Sequence, residues 1–189
     1  DGIRAIETLP GVGRPPFSLG MLIVRGAAPS DTAVFVDGMH VPVAYHWLVG
    51  PSIVPTEALD RISFYPGNFG AQFGRAIGGV VDLELRSPRK DRLGGVIQLD
   101  GLDGRFMVET PIDAKTRVLL AGRRSWIDAW LWPTLDALGQ KPSITPVYYD
   151  YQGMIERDIS THTKARLLVI GADDRLWRPA DSDVPDSSI

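Results

Sequence analysis

The sequence predicts a small α+β unit over residues 1–88, followed over residues 89–189 by antiparallel strands of the length that crosses a membrane as a tilted barrel wall. Three observations predict it. The first half alternates short β-branched runs with glycine turns and brief helical patterns. From Val96 onward, segments of roughly nine to eleven residues alternate in polarity. Tryptophans and tyrosines gather near the ends of those segments, at Trp126, Trp130, Trp132, Tyr148, Tyr149 and Trp177.

In the first half, Ile3, Ile6 and Leu9 recur at helical spacing and stop at Pro10-Gly11, so a short helix opens the chain. Gly13 to Gly20 reads as a loop. Met21–Val24 and Ala33–Val36 read as strands closed by Arg25-Gly26 and Asp37-Gly38. Val41–Pro55 reads as irregular, and Pro55–Asp60 as a helical turn with proline near its start. Ile62–Tyr65 and Gly79–Leu85 complete the strands of this unit. In the second half the cleanest alternation is Val147–Arg157. There Val147, Tyr149, Tyr151, Gly153 and Ile155 share one face, and Tyr148, Asp150, Gln152, Met154 and Glu156 the other. In Thr163–Asp173, Ala165, Leu167 and Val169 share a face opposite Lys164 and Arg166. Short turns fall at Pro111–Thr116 and Arg157–His162. Alternation alone fits a soluble β-sandwich as well as a barrel wall.

Bulk properties narrow the function. Twenty basic against 23 acidic residues give a net charge of −3, which argues against a nucleic-acid partner. There is no cysteine, so neither a disulfide nor a thiolate nucleophile is available. No run of about 18 apolar residues forms a transmembrane helix. The opening at Asp1 without a signal peptide and the polar tail PADSDVPDSSI read as the ends of a segment of a longer protein.

The glycine-dense stretch YPGNFGAQFGRAIGGVVDL, Tyr65–Leu83, poses the sharpest question. A phosphate-binding P-loop needs a lysine and a hydroxyl directly after its last glycine, whereas Gly74 is followed by Arg75-Ala76. A dinucleotide fingerprint needs G-x-G-x-x-G, which the spacing Gly67, Gly70, Gly74, Gly78, Gly79 does not supply. The glycines read instead as positions of tight turning and close backbone approach.

Five pieces then occur in one order: Leu9-Pro10-Gly11-Val12; Ile23-Val24-Arg25-Gly26; Val34-Phe35-Val36-Asp37-Gly38; Leu59-Asp60-Arg61-Ile62; and Pro66-Gly67 with Phe73-Gly74-Arg75 and Gly78-Gly79-Val80-Val81. This series resembles the plug domain of TonB-dependent outer-membrane receptors. The second half, with Gly122-Arg123-Arg124-Ser125-Trp126-Ile127-Asp128, is similar to the barrel strands that follow such a plug. The resemblance implies an α+β plug over residues 1–88 and the first four or five strands of a transmembrane β-barrel over residues 89–189. The full barrel of the family has about 22 strands. So few strands fall short of the smallest natural closure of about eight, so the rest of the wall is expected elsewhere in the protein. The glycine stretch is expected to cross from the plug's last helix into the strand leading to the wall, with Gly26, Gly38, Gly67, Gly74, Gly78 and Gly79 as turn and crossing positions.

The resemblance also implies the chemistry. Arg25 and Arg75 are expected to pair with barrel carboxylates inside a polar lumen. The segment His40–Gly50 follows a turn that points outward in such plugs, so His40, Tyr45, His46 and Trp47 are the candidate ligand contacts. No metal site and no cofactor are expected, since no third ligand stands near the histidine pair. Nor is catalysis expected: there is no G-x-S-x-G elbow, and the three histidines lack an evident serine or acid partner. The function implied is energy-dependent uptake, across the bacterial outer membrane, of a scarce metal chelate, cobalamin or oligomer. Its partners are outer-membrane lipid, the ligand, and a TonB-type energy transducer acting through a segment that the chain does not contain. The alternative is a receptor-like barrel that serves as a structural part of an envelope assembly without transport.

Overall fold

Turn chemistry decides where the first half reverses. The computed structural model describes residues 2–13, 22–46, 50–140 and 145–177, and the chain divides into two compact units, Asp1–Ser87 and Pro88–Ile189. In the first unit a 3-10 helix, Ile3–Thr8, buries Ile3 and Ile6. It is followed by the two-residue strands β1 (Val12–Gly13) and β2 (Ile23–Val24), which pair antiparallel. A mixed sheet then forms from β3 (Ala33–Val36), β4 (Met39–Val41), β5 (Leu59–Tyr65) and β6 (Val80–Leu85), in the order β4-β3-β6-β5. β3 and β6 run parallel and the outer pairs antiparallel.

Strand β4 lies partly inside the segment expected to be irregular. It forms because Asp37 and Gly38 both take positive φ, 46° and 80°, which is the two-residue hairpin geometry that matches strand twist. The helical turn expected at Pro55–Asp60 shrinks to a 3-10 turn, Thr56–Ala58, since Leu59 and Arg61 pair with β6 and carry Asp60 into β5 at a register shift between them. Val80, Val81 and Leu83 are wholly buried while Asp82 and Glu84 are half-buried, so the second half of β6 alternates as its sequence does. The Gly13–Gly20 loop lies outside the described residues beyond Gly13.

The second unit is a single antiparallel sheet in the order β11-β10-β9-β8-β7. Its strands are β7 (Gly94–Leu99), β8 (Asp103–Pro111), β9 (Thr116–Ser125), β10 (Thr145–Asp158) and β11 (Lys164–Trp177). Each strand pairs with the next in sequence, so the sheet is a meander. Between β9 and β10 runs an α-helix, α1 (Ile127–Ala137). It occupies residues read from sequence as strand-end aromatics: Trp126 precedes its first turn, and Trp130 and Trp132 lie within it. The spacing Ile127, Leu131, Leu135 is helical, and Pro133 in the interior costs one backbone bond without ending the helix.

Candidate functional site

The two faces of the β7–β11 sheet are inverted with respect to a water-soluble sheet. Strict alternation puts Tyr148, Asp150, Gln152, Met154 and Glu156 of β10 on the buried face. Their cross-strand neighbours on that face include Asp103, Glu109, Arg117 and Ser125, all buried. The opposite face carries Ile97, Leu99, Phe106, Leu120, Tyr151, Ile155, Leu167 and Val169, all exposed. Leu167 is 63% exposed while the Glu156 residue is 1% exposed. Water-soluble sheets bury the first kind of residue and expose the second, whereas a membrane-spanning barrel wall turns polar side chains to the lumen and apolar ones to lipid.

The polar face is not a set of isolated charges. Arg117 donates to Glu156 and makes a two-pronged contact with Asp158, each prong 3.0 Å. Arg166 reaches Glu156 at 2.6 and 2.9 Å, Lys164 stands 3.8 Å from the same carboxylate, and Lys90 meets Asp158 at 3.0 Å. Glu109 accepts from the backbone N–H and the guanidinium of Arg89, at 3.0 and 3.1 Å. Nearer the other end, the Tyr148 hydroxyl donates to Asp103 at 2.6 Å, and Arg123 lies 3.5 Å from Asp150. A buried charge is tolerable only with partners of this kind. The sequence placed Asp150, Gln152 and Glu156 on one polar face; it did not reveal Arg117, Arg166 or Lys90 as partners. Those contacts depend on register, which sets Glu156 opposite Arg117 on one side and Arg166 on the other.

The short turns are fixed by their own carboxylates. Asp113 accepts from the N–H groups of Lys115 and Thr116 at 2.7 and 2.8 Å, and those donors hold its carboxyl below the usual range. Asp100 does the same for the β7–β8 turn, accepting from Asp103 and Leu102, and is lowered for the same reason.

In the first unit the glycine stretch joins β5 to β6, two antiparallel neighbours, rather than a helix to a strand. Phe69, Phe73 and Ala76 pack on a buried cluster of Ala33, Phe35 and Val80, with the Phe35 and Phe73 rings 5.1 Å apart. The return is tight. Gly79 lies against Val24, and a Cβ there would sit 2.9 Å from a Val24 methyl. Gly78 lies against Ala27 and Asp31, and both Ile77 and Gly78 donate to the Asp31 carbonyl. Gly26 and Gly38 take positive φ, Gly67 lies under the Arg25 side chain, and Gly74 has open space around it. No phosphate cradle is formed, because the stretch is anchored through its phenylalanines.

Arg25 and Arg75 are both exposed, both take positive φ, and neither forms an ion pair among the described residues of its own unit. The four candidate ligand contacts separate. His40 is exposed on β4, its ring 5.4 Å from that of Phe35. Tyr45 and His46 are buried, at 2% and 1% exposure, so in this conformation they serve packing. Arg4 holds this region: its guanidinium lies 5.5 Å from the Tyr45 ring centre and donates to the Gly50 carbonyl at 2.7 Å. Burial, with Glu7 nearby, pushes the Tyr45 hydroxyl well above its usual range. Trp47 lies outside the described residues. Among the described residues, no group of three or more histidines and acids is placed to hold a metal ion.

Residues 2–80 match the family model of the TonB-dependent Receptor Plug Domain. Among solved structures, the chain is similar to the ferric enterobactin receptor of Pseudomonas aeruginosa, there crystallised as a double mutant, with a TM-score of 0.62 and 18% identity. That match covers 92% of this chain and 30% of the receptor, so the chain spans under a third of its structural relative. Residues 2–80 thus match the TonB-dependent receptor plug domain, and the chain, with the inverted faces of its β7–β11 sheet, shares the fold of such a plug followed by barrel-wall strands.

Proposed function

We propose that this chain supplies the plug and the opening wall strands of a bacterial outer-membrane receptor, one that takes up a scarce ligand at the expense of energy delivered by a TonB-type partner. The observation that carries the reading is the sheet whose charged side chains are buried and ion-paired while its leucines, valines and aromatic rings face outward. Lipid is a surrounding in which that arrangement lowers free energy, at roughly 25 cal/mol for each Å² of apolar surface removed from water. The plug match over residues 2–80 supplies the gating element.

In this reading the substrate class is a metal chelate, a cobalamin or an oligomer too large for an open pore, and the plug gates its passage. His40, exposed on β4, is the ligand-side group, and the buried Tyr45 and His46 anchor the stretch that follows β4. Arg25 and Arg75, raised on left-handed turns and without an acidic partner among the described residues of their own unit, pair with wall carboxylates. The test is growth of a strain lacking the gene on media limited in turn for iron, cobalamin and complex glycans. A defect on one of them, restored by the intact gene, is expected. Normal growth on all, with altered envelope integrity instead, would replace uptake by a scaffolding role.

A further inference from the structure

Helix α1 raises a separate question: none of its 11 residues is buried, although Ile127, Trp130, Leu131, Trp132 and Leu135 are large and apolar. A helix this short is marginal in water on propensity alone, and Pro133 weakens it further. Its charged residues are Asp128 and Asp136 only, too few for a solvated face.

What holds it is a pair of indole clamps. Trp126 donates through Nε1 to the Asp100 carbonyl at 2.8 Å, and Trp130 to the Gly101 carbonyl at 2.6 Å. Both acceptors lie in the β7–β8 turn, so the helix is fixed to the rim of the sheet. Beneath it runs an open groove of about 410 Å³, walled by Ala129, Trp132 and Pro133 of the helix and by Val147, Tyr149 and Arg175 of β10 and β11. Tyr149 belongs to the same face of the sheet as Tyr151, Ile155, Leu167 and Val169. The groove therefore continues the exposed apolar face rather than the polar one. Two further features locate it. The turns at 112–115 and 159–163 close the opposite end of the sheet, whereas β9 ends and β10 begins at this end with a long connection between them, and long connections mark the outer side of outer-membrane walls. Around the groove, Arg124 pairs with Asp128 at 3.4 Å and Arg175 with Asp173 at 2.6 Å. The charges cancel, so attraction must come from apolar surface.

We propose that α1 is an interfacial helix of the outer leaflet, and that the groove between it and β10–β11 takes an acyl chain of an outer-leaflet lipid. The inference rests on the barrel reading above. Amphipathic tryptophans belong at the boundary of the hydrocarbon, and a helix with this composition lies in the plane of that boundary. The lipid would cover Trp132 and the outward ring face of Tyr149, both half-buried, above the buried Val147 at the floor of the groove.

The test uses the full-length receptor in phosphatidylcholine nanodiscs, with one spin label per variant: Ala129→Cys on the helix, Leu138→Cys at its C-terminal cap, Leu167→Cys on the outer face of β11, and Thr161→Cys in the opposite turn. All four positions are exposed, so the labels leave packing intact. Dissolved oxygen, which concentrates in lipid, is compared with a water-soluble nickel chelate. The expected result is oxygen-dominated relaxation at 129 and 138, as at 167, unchanged in high salt because no net charge drives the contact. Chelate-dominated relaxation at 129 and 138, as at 161, overturns the proposal while leaving the wall intact. Chelate-dominated relaxation at 167 removes the barrel reading itself.

Discussion

Gly79 shows what a single residue does in this chain. Its missing Cβ lets the returning backbone touch Val24, whose side chain is wholly buried. An alanine there must push a packed valine aside, and a leucine cannot be accommodated without moving β6. Overpacking of this kind costs about 1–3 kcal/mol. Gly79→Leu is therefore expected to raise protease cleavage within residues 66–79 of the full-length receptor, whereas Gly74→Ala, with open space around it, leaves cleavage unchanged. Asp82 shows a different constraint. It lies on β6 with Glu84 and Asp37 nearby, and partial burial raises its carboxyl above the usual range, with those two acids adding to the effect. A raised carboxyl opposes folding when ionised, so this position loses its penalty as pH falls.

Strand register, at the scale of elements, turns scattered charges into a network. Glu156 pairs across to Arg117 on β9 and Arg166 on β11, and Arg117 also holds Asp158. Removing one member strands the others in a buried place, a loss of about 3–5 kcal/mol. Glu156→Leu is expected to lower the temperature at which the heat-modifiable band of the full-length barrel shifts on gels, and to lower it more than Leu168→Ala on the same face. The double change Arg117→Met with Glu156→Leu should recover much of that loss, since it removes both charges together. A loss for the double variant equal to the sum of the losses for Arg117→Met and Glu156→Leu alone would show that the charges act independently.

The apolar outer face is a property of the whole molecule, because no one strand defines it. Ile97, Phe106, Leu120, Tyr151 and Leu167 come from five different strands. They form a surface only when β7 to β11 align. Placing a cation in the middle of such a face costs about 2–4 kcal/mol in a bilayer. Leu120→Arg is thus expected to reduce the folded, membrane-inserted fraction of the receptor. Gln98→Arg, on the polar face, leaves it unchanged. An unaffected inserted fraction for Leu120→Arg would place this face against something other than lipid.

Much of this was legible before any coordinates. The alternation over Val147–Arg157 assigned its residues to the correct two faces, because side chains in a strand point alternately whatever surrounds it. Asp37-Gly38 marked a reversal, because only small or polar residues tolerate two consecutive left-handed conformations. The order of turns and glycines in the first half carries the resemblance to a plug. What tertiary structure alone decided is non-local: the partners of Glu156, the burial of Tyr45 and His46, the phenylalanine anchors of the glycine stretch and the seat of α1 on a distant turn. Each depends on which segments meet in space, and a chain's own spacing carries no record of that until pairing and packing have set it.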